Sequence, residues 1–216
     1  MSVLTVEGAN MLLKAPAAPN LPIAPPQYSP EFQNRNNNTL RLFANGVSEA
    51  LNNLTGSNGA KYLQSPYGSW YDTTTQSAGA VNTATAVTLN STWLENGIFK
   101  QQPGNTLIYV PVQGVYNFEF SAQLSKPSAS AGYIWIWCRV AGVDVAYSNS
   151  EIVVQGTAAQ TVAAWNFMLY LLPTQSFQMM WATDTNVQIL AQGPSGFAPG
   201  IPSMILTANF ISAVTS

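Results

Sequence analysis

The chain has 216 residues, room for one ordinary domain with a tail or for two small domains, and 47% of them are hydrophobic while only 7% are charged. A net charge of −2 with no basic cluster excludes the electrostatic footprint of nucleic-acid binding, and no stretch reaches the roughly eighteen apolar residues of a membrane span. The absence of histidine excludes His-based triads and proton relays, and the lone Cys138 excludes an internal disulfide or a Cys–His nucleophile.

Polarity comes instead from Asn, Gln, Ser and Thr. A surface so poor in charge is weakly protected against association, so much of it is expected to be covered by partners. The N-terminus has no basic region followed by an apolar core and does not read as a secretory signal.

Residues 1–28 lack the periodicity of a folded unit. Pro16, Pro19, Pro22, Pro25 and Pro26 favour an extended, polyproline-like chain without internal hydrogen bonds. Alone such an arm is disordered; with Leu12, Leu13, Leu21, Pro22 and Ile23 as apolar anchors it suits lying along another surface.

Residues 29–56 read as one helix. Ser29 is the N-cap, Pro30 the first helical residue and Glu31 an acid in the first turn, while Thr55-Gly56 supplies the stop. Leu40, Phe43, Val47, Leu51 and Leu54 recur at threes and fours, a stripe that either packs on its own domain or joins copies in a short bundle. Gly46 weakens the helix by about 1 kcal/mol relative to alanine.

From residue 57 to 216 the pattern is all-β. Strands are expected near 87–90, 106–110, 115–124, 133–140, 144–148, 163–172, 177–182, 187–192 and 204–211, with Ala141-Gly142 as a hairpin turn. After Gly114, read as a residue of unusual backbone angles, Tyr116, Phe118, Phe120 and Ala122 alternate with Val115, Asn117, Glu119 and Ser121, so one face is buried. Two strands are apolar on both sides. Tyr133, Trp135 and Trp137 stand opposite Ile134, Ile136 and Cys138, and Trp165, Phe167, Leu169 and Leu171 stand opposite Met168, Tyr170 and Leu172. A sandwich strand buries only one face within its own chain, so the second faces call for a partner subunit or an extra layer. Which side of 133–140 meets the partner stays open.

The nine acids are Glu7, Glu31, Glu49, Asp72, Glu95, Glu119, Asp144, Glu151 and Asp184. All are expected at exposed edges or loops, and no Asp-x-Asp run offers a calcium loop. Neither a metal nor another cofactor is expected, and the chain reads as a non-enzyme. Trp70, Tyr71 and Trp93, set among Asn and Thr, are candidate ligand-facing aromatics, with core or interface roles as the competing assignment.

Gly114-x-Tyr116-x-Phe118-x-Phe120, the doubly apolar strands and the apolar strand 204–211 resemble the C1q/TNF-like jelly rolls. The resemblance implies a mainly β, antiparallel sandwich that forms homotrimers. It gives Tyr133, Trp135 and Trp137, or the opposite face of their strand, a threefold partner, and the helix stripe a second contact on the same axis. A further likeness spans nearly the whole chain. Asn20-Leu21-Pro22, Tyr28, Thr39-Leu40-Arg41-Leu42-Phe43, Tyr62-Leu63, Pro66-Tyr67-Gly68 and Asp72-Thr73-Thr74-Thr75-Gln76 resemble small structural proteins of tailed phages of aquatic bacteria. Asn36-Asn37-Asn38 departs from that pattern, where a more apolar first helical turn is usual. This likeness implies a virion protein, a trimeric decoration or short fibre, whose arm docks on capsid or tail proteins. The alternative is a receptor-binding tail fibre whose head recognises a host-surface glycan. A secreted C1q-like ligand is disfavoured by the missing signal.

Overall fold

The computed structural model describes residues 16–55, 65–128 and 130–213, with side chains of 53–55 left aside. The chain divides into two compact units, Met1–Gln64 and Ser65–Ser216.

In the first unit Pro30–Thr55 forms helix α1. Its start follows the expected chemistry: Phe32 N donates to Ser29 Oγ at 3.2 Å, and Gln33 N donates to Ser29 O at 3.1 Å. Phe32, Phe43 and Val47 are half-buried, whereas Leu40 and Leu51 are exposed. The side chain of Leu54, the stop at Gly56 and the arm anchors Leu12 and Leu13 lie outside the described residues. The proline-rich segment from Pro16 to Pro26 forms neither helix nor strand; Leu21 is exposed, Pro22 half-buried and Ile23 95% exposed. At Gly46 an added Cβ would meet Pro16 at 3.9 Å, an ordinary van der Waals distance, so packing does not require glycine there.

The second unit is built of fourteen strands among the described residues. In chain order they are β1 (Tyr67–Asp72), β2 (Gln76–Ser77), β3 (Thr85–Ala86), β4 (Ser91–Asn96), β5 (Phe99–Lys100), β6 (Ile108–Tyr109) and β7 (Gly114–Lys126). There follow β8 (Gly132–Val140), β9 (Val143–Asp144), β10 (Ser150–Val154), β11 (Ala159–Leu171), β12 (Ser176–Thr183), β13 (Gln188–Ile189) and β14 (Met204–Ser212). One antiparallel sheet runs β2-β13-β7-β14-β1-β4, with β11 on the other side of β7; the second runs β10-β8-β12-β6-β5, with β3 on β12 and β9 on β8. The chain crosses between sheets from β2 to β3, β3 to β4, β4 to β5, β6 to β7, β7 to β8, β10 to β11, β11 to β12 and β12 to β13. Such alternation between two facing antiparallel sheets is a jelly roll, in which the two inner faces make one core.

The longest ladder pairs β7 with β11 from Gly114↔Leu171 to Lys126↔Ala159. Tyr116, Phe118, Phe120, Ala122 and Leu124 point inward from β7, and Phe177, Met179 and Trp181 point inward from β12. Phe118 stacks on Phe177 across the core with ring centroids 3.8 Å apart. Gly114 serves close packing, not unusual backbone angles: a Cβ there would stand 2.5 Å from the Phe210 ring and 2.6 Å from Ser212 O.

The β8 register settles which of its faces is internal. Ile134, Ile136 and Cys138 fill the sandwich, and Tyr133, Trp135 and Trp137 stand on its outer side. Six strands go beyond the sequence expectation: β1, β2, β3, β4, β5 and β10. The segment 87–90 is not a strand; Val87 N and Leu89 N bond singly to Met179 O and Asn105 O, and their side chains enter the core. At the hairpin, Ala141 and Gly142 both have positive φ, 49° and 81°, as the tight turn from β8 to β9 requires.

Candidate functional site: an aromatic groove beside a buried carboxylate

The groove starts from Asp72, the last residue of β1. Its inward side chain is fully buried, contrary to the expectation of an exposed acid. Oδ1 accepts from Thr74 N at 2.8 Å and Thr74 Oγ1 at 2.5 Å; Oδ2 accepts from Thr88 Oγ1 at 2.9 Å and Asn90 N at 3.1 Å. A carboxylate bonded on both oxygens repays part of its desolvation and fixes two loops around it. Asn90 passes the order on: its Oδ1 accepts from Thr73 N at 3.2 Å and its Nδ2 donates to Thr73 Oγ1 at 3.0 Å.

Strand β4 then positions the aromatic surface. Its pairing with β1 runs Ser69↔Leu94 and then Trp70↔Thr92, so Trp93 is an extra residue in a β-bulge. A bulge kinks the strand and re-aims a side chain. Trp93 stacks on Tyr71 with ring centroids 4.5 Å apart at 26°, and 53% of the residue stays exposed. The far wall is the 191–202 loop, closed by reciprocal hydrogen bonds of 2.9 Å between Gln192 and Ile201 and tied to Thr75 by Ala191 N donating to its Oγ1 at 3.1 Å. The groove has a volume of about 420 Å³, with Tyr71, Trp93, Thr73, Thr75, Gln192 and Pro194 among its lining and no charged residue in it.

Of the three candidate aromatics, Trp70 is not ligand-facing. It is 0% exposed, and its Nε1 donates to Glu95 Oε1 at 2.5 Å. Alternation explains this, because Gly68, Trp70 and Asp72 share the inner face of β1 while Tyr71 is on the outer one. Beside them Lys100 is buried, with Nζ donating to Leu89 O and backbone N donating to Glu95 Oε1 at 3.1 Å. Burial lowers its pKa, and the Glu95 and Asp72 charges oppose that shift only in part.

The outer side of β8 is a second aromatic surface, 470 Å³ of shallow space over Trp135, Trp137, Asp144 and Asn149. Tyr133 stacks on Trp135 at 6.2 Å; Trp135 Nε1 donates to Glu151 Oε2 and Trp137 Nε1 to Asp144 Oδ1, both at 2.8 Å. Arg139 Nε donates to the same Asp144 oxygen at 2.7 Å. The Arg139 and Trp137 hydrogen bonds hold the Asp144 carboxyl below its usual pKa. A third surface is the free edge of β11, where Trp165, Phe167 and Leu169 are half-buried and Met168 and Tyr170 are exposed.

The thiol of Cys138 is fully buried in the core. Burial pushes its pKa up to about 12, against a weaker downward pull from the Ser148 hydroxyl, so it carries almost no thiolate at neutral pH. Lys126 is another buried cation, its Nζ donating to Thr185 Oγ1 at 3.2 Å and Asn186 Oδ1 at 3.0 Å. No group of three or more His, Cys, Asp or Glu suited to a metal ion occurs among the described residues.

No protein-family model and no curated protein sequence matches the chain. Among solved structures, the globular domain of the zebrafish complement 1qA protein is similar at 16% identity and a TM-score of 0.43, covering 69% of this chain and 99% of that one. Murine APRIL is similar at 10% identity and a TM-score of 0.44, covering 68% of this chain and 99% of that one. By its own sheet order and crossings, the chain is a mainly β protein, an antiparallel jelly-roll sandwich preceded, among the described residues, by one α-helix.

Proposed function

We propose that the chain is a non-enzymatic virion structural protein of a tailed phage, a homotrimeric decoration or short fibre. Its proline-rich arm docks on another capsid or tail protein and its jelly-roll head is presented outward. The observation that carries this reading is the amount of apolar surface a single copy leaves uncovered. The Tyr133–Trp135–Trp137 row is partly exposed, and the β11 edge shows Met168 and Tyr170 beside half-buried Trp165, Phe167 and Leu169. At that edge Trp165 Nε1 is shielded from water without an acceptor among the described residues. Apolar area of this kind is stabilised by subunit contact and is an aggregation hazard without it.

The acids support a structural reading. Asp72 braces loops, Glu95 and Glu151 each accept from a tryptophan, Asp144 accepts from Trp137 and Arg139, Asp184 accepts from Tyr133 N, and Glu119 accepts from Asn117. Every one of these carboxylates is engaged in holding the fold, and none is bonded to a second carboxyl as a catalytic dyad would be. Immunogold labelling of purified particles tests the assignment. Label over the capsid or along the tail is expected. Label confined to the tail tip would replace decoration with receptor binding, and unlabelled particles would remove the virion role.

A further inference from the structure

The groove between Tyr71, Trp93 and the 191–202 loop has no part in the assembly argued above. We infer that it is a binding site for a neutral carbohydrate, with one pyranose ring laid on the open side of Trp93. Three independent features converge on this ligand class.

The first is the aromatic platform. The β4 bulge takes Trp93 out of the regular ladder and sets it against Tyr71, so one side of the indole is braced by the phenol ring while the residue remains 53% exposed. A large, rigid, half-open ring is suited to the C–H face of a sugar, which is apolar although its rim is not.

The second is the polar rim. Thr73, Thr75 and Gln192 line the same cavity, and Gln192 is exposed there. An amide offers both donor and acceptor, which matches a hydroxyl that does the same. The third is charge: with no Lys, Arg, Asp or Glu in the lining, an anionic sugar or phosphate would lose water without gaining a counter-charge.

The site is also pre-organised. The Asp72 carboxylate holds Thr74 and Asn90, Asn90 holds Thr73, and Ala191 holds Thr75. Binding therefore orders little that is not already ordered, and one shallow ring contact is expected to give dissociation constants on the order of 0.1–10 mM, with avidity available to an oligomer.

Saturation-transfer NMR on the purified full chain tests this, with cellobiose, lactose and N,N′-diacetylchitobiose as neutral probes and sialyllactose as the anionic one. At least one neutral disaccharide is expected to show transfer, strongest at the ring C–H protons of a single residue. Trp93→Ala is expected to weaken it about tenfold or more, and Gln192→Ala by several-fold. Tyr147→Ala, which removes a fully exposed aromatic from elsewhere, is expected to leave it unchanged. Circular dichroism of each variant confirms that the fold persists. Transfer to none of the neutral sugars, transfer that survives Trp93→Ala, or transfer confined to sialyllactose would each overturn the assignment. So would saturation by a peptide of residues 16–28 in place of the sugars, since aromatic grooves also take polyproline chains. The readout needs no particle, so its failure would leave the virion reading untouched.

Discussion

Replacing Asp72 with alanine is expected to destabilise the head by about 2–3 kcal/mol, because it strands several part-buried donors at once. Thr74 N, Thr74 Oγ1, Thr88 Oγ1 and Asn90 N all lose their acceptor. A donor left unsatisfied and buried costs roughly 1–3 kcal/mol, but Thr74 and Asn90 are exposed and Thr88 is half-buried, so water and relaxation of the loops recover part of the sum. Asp72→Asn keeps one acceptor oxygen and is expected to lose less. Urea unfolding of the purified variants measures both, and an unchanged midpoint for Asp72→Ala would show that the carboxylate does not hold these loops.

The second large effect is expected at Gly68, where a single added methyl group meets an aromatic ring. The Cβ of an alanine there would stand 2.1 Å from Trp70 Cη2, so the ring must leave its place in the core. Overpacking of this kind costs about 1–3 kcal/mol or more, and Trp70→Ala, which empties the same site, about 3–5 kcal/mol. The two changes touch each other, so the double variant is expected to be less damaged than the sum of the singles by at least about 1 kcal/mol. Strict additivity in a thermal or urea double-mutant cycle would contradict this packing.

The contrast between Trp70 and Trp93 also shows where sequence reading loses its grip. Both tryptophans sit in short stretches of Ser, Thr and Asn, and nothing local separates them. Trp70 is internal because its neighbours on the inner face of β1 are Gly68, which makes room for the ring, and Asp72, which is buried by hydrogen bonding. Neither is apolar, so the period of two was hidden. The clue to Asp72 was the Thr two residues on, the spacing of an Asx-type turn, but Thr88 and Asn90 join it only through the fold. Trp93 faces outward because of a bulge, and a bulge exists only relative to the partner strand.

Elsewhere the local signals were sufficient. In β7 large aromatics alternate with polar residues, and the inward face follows directly. The start of α1 needed only Ser29-Pro30-Glu31. In β8 both faces are apolar, so alternation predicted a strand and left its orientation undecided. The pairing with β12 and β10 decides it by putting Ile134 and Ile136 in the core. β10 itself escaped notice because its apolar run is only Ile152-Val153-Val154, next to Glu151.

That orientation leaves the tryptophan side of β8 and the edge of β11 for contacts between copies, and the proposed homotrimer depends on them. The direct test is the mass of the purified full chain in solution by light scattering. The account predicts three times the 23.2 kDa of one chain, held at micromolar concentration. A mass of 23.2 kDa under the same conditions would contradict it.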